Sequence, residues 1–386
     1  MEIELFDGGP PVRIETWLRL RKPGQRRVVR EAALMATIAW LPLALLAAAH
    51  GDLIQSGAAA SFLIDFGVHA RYLIALPALI IVEPFCIARL GGLARHFLES
   101  GLIRDSDRPA FDAALASTRR LRDSNVAEAA VVISAYALAL VLMQSLTSRQ
   151  FAAWYLPHGA DLGIYSPAGW WHALVSLPLL LILLLGWAWR LIVWIRFLWV
   201  MSRLDLWLLP SHPDHAAGLK FVGHSLRAFA LPSFGFGVII AGTLANRVVH
   251  EGASPLSFKY AALGLALVVL TLFTSPLLVF AGPLLEQWRR GVLEYGALAN
   301  RVGHEFESKW LDRQHAPAED LLNVQAFSAT TDLYQVVANV YEMRFVPVDL
   351  ISVVLLLAAT LAPLVPVVLM SAPLDVMLKS LASLLI

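Results

Sequence analysis

Stretches of about 20 apolar residues, the length that crosses the hydrocarbon core of a bilayer, recur along this chain and constrain it more than any other feature. Seven qualify, at roughly 31–50, 71–91, 127–146, 170–199, 228–248, 260–283 and 348–370. Hydrophobic residues make up 58% of the 386 and charged residues only 15%, against about a quarter charged in an ordinary soluble domain. A soluble fold this apolar could not cover its own surface, whereas lipid solvates the excess. The expected fold class is all-α: a polytopic helical membrane protein of about seven transmembrane helices plus a helical cytoplasmic layer, with the lipid bilayer as its first partner.

The net charge of +1 says little, but its distribution orients the chain. Of the lysines and arginines outside the spans, 22 fall in the N-terminal segment, the 92–126 and 200–227 loops and the 284–345 segment. Three fall on the opposite side: Arg149, Lys259 and Lys379. The positive-inside rule then predicts a cytoplasmic N-terminus and a C-terminus across the membrane. Trp170 and Trp171 open the fourth span and Trp194, Trp199 and Trp207 close it, as an aromatic belt requires. No secretory signal peptide is read in the first 30 residues, so the first span is expected to act as the targeting signal. The single cysteine, Cys86, excludes an internal disulfide and a cysteine-based metal cluster.

The chain divides accordingly: residues 1–30 as an N-terminal cytoplasmic segment, 31–283 as a six-span bundle, 284–345 as a cytoplasmic helical region, and 346–386 as the seventh span with an amphipathic tail. In 284–345, Leu285, Trp288, Val292, Tyr295, Ala299, Val302 and Phe306 step alternately by three and four, a heptad seam. Only Pro283 interrupts the pattern before it, so one helix is expected from about 260 to 311. The seam packs either on the chain's own next helix, about 328–345 with Leu333, Val336, Val340 and Met343 inward, or on another subunit of a homo-oligomer. A short helix is expected around 109–122. The tail 374–386 has leucines on one face and reads as a helix lying on the outer leaflet; a re-entrant hairpin with the seventh span is the alternative.

Ionisable residues inside spans are costly and therefore point to function or to pairing. Glu83 lies mid-span before Pro84, and Arg190 lies in the fourth span; Arg89, Arg196 and Arg247 lie nearer span ends and can snorkel. Glu83 forms either a structural bridge with Arg190 or Arg89, or part of an ion or proton pathway. Pro232-Ser233-Phe234-Gly235-Phe236-Gly237 in the fifth span suits either an unwound stretch beside a polar path or close helix packing through its glycines.

The loop Ser211-His212-Pro213-Asp214-His215-Ala216-Ala217-Gly218-Leu219, with His224 beyond, offers ligands for a divalent metal in His212, Asp214, His215 and His224. Its competing reading is a tight turn in which Pro213 fixes the backbone, Asp214 caps the residues after it and Gly218 takes an unusual dihedral. This His-Pro-Asp-x-Ala-x-Gly-Leu loop, the Arg122-Asp123-Ser124 run, Glu128, the Leu293–Trp310 stretch and the closing Met343–Pro347 resemble a group of bacterial multi-pass inner-membrane proteins. The resemblance implies an inner-membrane location and assigns no catalytic residue. GxSxG, HExxH, P-loop and dinucleotide fingerprints are missing, and no basic-aromatic patch suggests nucleic acid. The functional expectation is an oligomeric channel or transporter-like protein for ions or small solutes, with no resident cofactor; a non-transporting scaffold or partner subunit and a metal-dependent membrane enzyme are the alternatives.

Overall fold

The computed structural model describes Gly8 and residues 28–53, 61–145, 153–155, 165–310 and 325–370. Within them the fold is all-α, without a β-strand, and six helical runs are long and apolar enough to cross a membrane. The elements are α1 (Val28–Ala49), α2 (Phe66–Glu99), α3 (Arg108–Arg122), α4 (Asn125–Ser145), α5 (Pro167–Met201) and α6 (Ser225–Glu251). They continue with α7 (Lys259–Thr274), α8 (Ala281–Trp310), α9 (Gln325–Tyr341), α10 (Leu350–Leu361) and α11 (Leu364–Leu369). The chain is thus a polytopic membrane protein with transmembrane helices. The connections after α2, α5 and α7 gather at one end of the bundle, the basic end, where Arg104 and Arg203 lie and Trp207 N donates to Leu102 O. The connections after α1, α4 and α6 meet at the far end, where Trp154 and Asn246 both donate to Asp65.

The seventh apolar stretch is not one unbroken α-helix. It divides at Pro363 into α10, of 12 residues, and α11, of six. At 1.5 Å per residue α10 alone reaches about 18 Å, short of the roughly 30 Å hydrocarbon core. The helix expected over 260–311 forms as one helical run, Lys259–Ser308, tightened at a point other than the one the sequence suggested. A 3-10 segment, Ser275–Phe280, separates α7 from α8 around Pro276, while Pro283 sits in the first turn of α8, where its missing N–H costs nothing. The tail 374–386, Arg149, Lys379 and the arginines before Val28 lie outside the described residues.

Prolines shape two other spans. Ahead of Pro77 the chain widens into a π-turn, Ala70–Ala75, and ahead of Pro178 into another, His172–Ser176. Leu76 N donates to Arg71 O and Leu177 N to His172 O, five residues back. Proline cannot donate to the carbonyl four residues back and collides with it; the wider turn relieves that conflict.

The fifth expected span is a continuous helix through Pro232, so the unwound stretch is not formed. Its glycines serve packing. A Cβ on Gly235 would meet Leu79 of α2 at 2.7 Å, and one on Gly237 would run into the Thr360 carbonyl of α10. These contacts let α6 sit between α2 and α10, which carry most of its buried surface.

At the basic end, α3 lies with Phe111, Ala114, Leu115 and Thr118 inward, close to the expected 109–122. The seam Leu285, Trp288, Val292, Tyr295, Val302 and Phe306 is half-buried, on the side of α8 that meets α9 within the same chain. The Trp288 ring packs edge-on to Phe345 at 5.5 Å, and Gly291 lies against Pro210 and Val340. Val337 and Val340 form the buried stripe of α9, whereas Val336 is exposed.

Candidate functional site

The inward stripe of α2 reads Leu76, Leu79, Glu83, Cys86 and Leu90, all buried and spaced by three or four. That of α5 reads Leu183, Trp187, Arg190, Trp194 and Phe197. Helical periodicity therefore aims a carboxylate and a guanidinium inward at membrane depth. Arg190 Nη2 stands 2.9 Å from Glu83 Oε1, with the side chains 5% and 7% exposed. The guanidinium also lies over the Trp187 ring at 5.3 Å, a favourable cation–π geometry. None of its three nitrogens makes a hydrogen bond among the described residues, and the contact of Nη2 with Glu83 is an ion pair by distance alone. A buried ion pair offsets its desolvation only when the remaining donors are also satisfied, so this pair is electrostatically closed but short of acceptors.

The other ionisable residues expected in the spans lie elsewhere. Arg89 donates to the Arg227 carbonyl at 3.3 Å and does not pair with Glu83. Arg247 is exposed near the end of α6. Arg196 reaches Ser117 of α3 at 3.2 Å.

The His-Pro-Asp loop is built by Asp214. Its carboxylate accepts from the backbone N–H of Ala216 (2.8 Å), Gly218 (3.1 Å) and Lys220 (3.1 Å), and His212 Nδ1 stands 2.8 Å from it. Burial alone would raise its pKa; the three N–H groups and His212 outweigh it and hold the acid below the usual carboxylate range. The loop then turns through positive φ at His215, Ala217 and Gly218. His215 points away, 3.7 Å from Glu342, and its carbonyl accepts from Arg344 N. His212, Asp214 and His224 face one cleft while His215 stands outside it, and no cluster of three or more His, Cys, Asp or Glu able to hold a metal occurs among the described residues.

Two polar constellations escape sequence reasoning. At the far end, the Tyr72 and Tyr155 hydroxyls each lie 2.9 Å from His172 Nε2, and His172 Nδ1 is buried without a partner among the described residues. Burial pushes the Tyr155 phenol well above its ordinary pKa, although Arg71 opposes it. Tyr72 and His172 both ride on the π-turns, irregularities often found at functional sites. Nearby, Asp65 caps the start of α2 through Val68 N and accepts from Asn246 and Trp154. At the basic end, Arg227 of α6 binds Asp349 at 2.5 Å and Ser352 at 2.8 Å, clamping α6 to α10. The only local signal was a polar residue inside or beside an apolar run; the partners across elements lie from 17 to 181 residues away. No protein-family model, curated protein or solved structure matches this chain.

Proposed function

We propose that the protein moves ions or small solutes across the membrane and that Glu83 and Arg190 form the switching element of its path. What carries this reading is the buried ion pair between α2 and α5 whose guanidinium retains donors without acceptors. A charge at this depth is expensive and marks ion or proton routes more often than inert core. Opening the pair would expose a carboxylate and a cation to entering water or solute. The Tyr72–His172–Tyr155 cluster lies nearer the far end, with Tyr72 and His172 on the same two helices and Tyr155 on the 3-10 segment Ala153–Tyr155. The buried leucines Leu76 and Leu79 lie between Tyr72 and Glu83 along α2, as an apolar constriction that gates by drying would.

The same reading places the chain in a bacterial inner membrane with its basic end in the cytoplasm, on the strength of the 22-to-three charge asymmetry and the resemblance carried by the His212–Leu219 loop. It further takes the protein to be a homo-oligomer, with the α8–α9 layer as the assembly or gating element. Purified protein in liposomes should support a flux of protons or small ions that Glu83→Gln alters. Flux equal to that of empty liposomes, for wild type and variant alike, across common ions and pH gradients, rejects the proposal.

A scaffold or partner-subunit role is the second reading, favoured by the closure of the pair at 2.9 Å. It predicts that Glu83→Gln lowers stability and changes no flux.

A further inference from the structure

The basic end holds a cleft of about 520 Å³ that the transport reading does not use. It opens between the last turns of α2, the loop built by Asp214 and the short 3-10 segment Lys220–His224 that precedes α6. Pockets of this size with a mainly apolar lining and a few convergent polar groups are the usual form of small-ligand sites.

Most of the polar side chains that face the cleft are basic. Lys220, His96, His212 and His224 line it, and Asp214 is its carboxylate. Asp214 is already engaged by three backbone N–H groups and His212, so it offers little to an incoming cation. The Lys220 ammonium has no ion-pair partner among the described residues, and neither His96 nor His224 has a side-chain hydrogen bond among them. The unspent capacity is therefore that of donors and positive charge, which suits an anion with several acceptor oxygens.

The rest of the lining is apolar: Leu102, Trp207, Leu209 and Phe221. Trp207 is 65% exposed and Leu209 49%, a costly display unless something covers them. The cleft also sits where α2 and α6 meet the basic end, the level of lipid headgroups.

We propose that this cleft binds a phosphate-bearing amphiphile, its phosphate held by Lys220 and the imidazoles and its apolar part laid on Leu102, Trp207 and Leu209. The loop that forms one wall carries Pro210 against Gly291 of α8, Ser211 at 3.2 Å from the Tyr295 hydroxyl and His215 O bonded to Arg344 N. An occupant that shifts the loop therefore shifts the α8–α9 layer, which makes this a regulatory site rather than a path.

The phosphate could belong to an anionic membrane lipid or to a soluble phosphate ester, and titration separates them. Full-length protein in neutral detergent is titrated calorimetrically with dioctanoyl phosphatidylglycerol, dioctanoyl phosphatidylcholine, AMP and inorganic phosphate. Saturable binding of phosphatidylglycerol in preference to phosphatidylcholine, with none of AMP or phosphate, supports the site with a lipid occupant. Saturable binding of AMP without phosphatidylglycerol supports it with a soluble phosphate ester, whereas binding of inorganic phosphate alone, which has no apolar part, overturns it. In either case Lys220→Gln should weaken binding about ten-fold or more, the loss of one charge-assisted contact. Ser100→Trp, from an exposed position on the cleft's edge, should block it while leaving the elution profile unchanged. Absence of saturable binding by every probe, or equal binding by wild type and both variants, overturns the proposal. Neither result depends on flux, so the transport reading stands or falls separately.

Discussion

Replacing Asp349 by asparagine tests what holds α10 to the bundle. The carboxylate sits at the start of α10, accepts from Ser352 N at 3.3 Å and Oγ at 2.8 Å, and pairs with Arg227 at 2.5 Å. Its side chain is 11% exposed and that of Arg227 34%. Burial opposes its ionisation, but Arg227 and Ser352 outweigh burial and lower its pKa from 3.8 to about 2. A drop of that size corresponds to roughly 2.5 kcal/mol favouring the folded, ionised state. Asparagine keeps an acceptor for the cap but loses the charge. Arg227 then remains partly in water, so the cost stays below the roughly 3–5 kcal/mol of a fully buried broken pair. We expect Asp349→Asn to lose about 2 kcal/mol at neutral pH, measured by reversible unfolding in mixed micelles.

The pH dependence supplies the check. The folded carboxyl binds its proton more weakly than the unfolded one, so its contribution is complete above about pH 4 and is lost as pH falls towards about 2. Wild type should therefore converge on Asp349→Asn through that window. A loss under about 0.5 kcal/mol, the ordinary surface range, or a difference that stays constant on acidification, refutes the clamp.

Other perturbations test the remaining contacts. Glu83→Gln or Arg190→Gln alone should each cost about 3–5 kcal/mol by stranding a buried partner, while the double variant should cost clearly less than the sum in a double-mutant cycle; additivity would mean that the pair does not interact. Gly237→Val should destabilise by about 1–3 kcal/mol through its collision with α10, read as a lower unfolding midpoint, and an unchanged midpoint would show that the helices separate freely. Asp214→Asn should cost about 1–3 kcal/mol, because three loop N–H groups lose a charged acceptor, and should raise proteolytic cleavage near 212–219; equal cleavage rates would deny that Asp214 organises the turn.

Much of this was legible because hydrocarbon imposes simple rules. Six spans, helix α3, the α8 seam and the turn around Asp214 each arise from local periodicity or local capping chemistry. Glu83 and Arg190 were visible as costly residues, but choosing Arg190 over Arg89 required knowing which helix faces α2. The π-turns were not legible, since hydropathy does not distinguish a five-residue hydrogen-bond step from a four-residue one. The Asp65–Asn246 and Arg227–Asp349 contacts join residues far apart in sequence, and nothing in either segment names its partner. The interruption of the seventh apolar stretch was missed for a different reason. Its composition is apolar throughout, but Pro363 and Pro366 break it, and composition averages over such breaks.

The two π-turns have a consequence for how this chain tolerates length changes. An α-helix advances about 100° per residue, and a π-turn adds one residue without adding a turn. Everything downstream of Ala75 or Ser176 is therefore rotated by about one residue's worth relative to an unbroken helix. Glu83 and Arg190 both lie downstream of such an offset and meet with it in place. Deleting one residue ahead of Pro77 would swing Glu83 around the axis of α2 towards lipid or a neighbouring helix, without touching Glu83 itself. The extra residue thus acts as a frame-setter for the whole inner half of each span. Single-residue insertions and deletions there should be selected as strictly as substitutions of the charged pair.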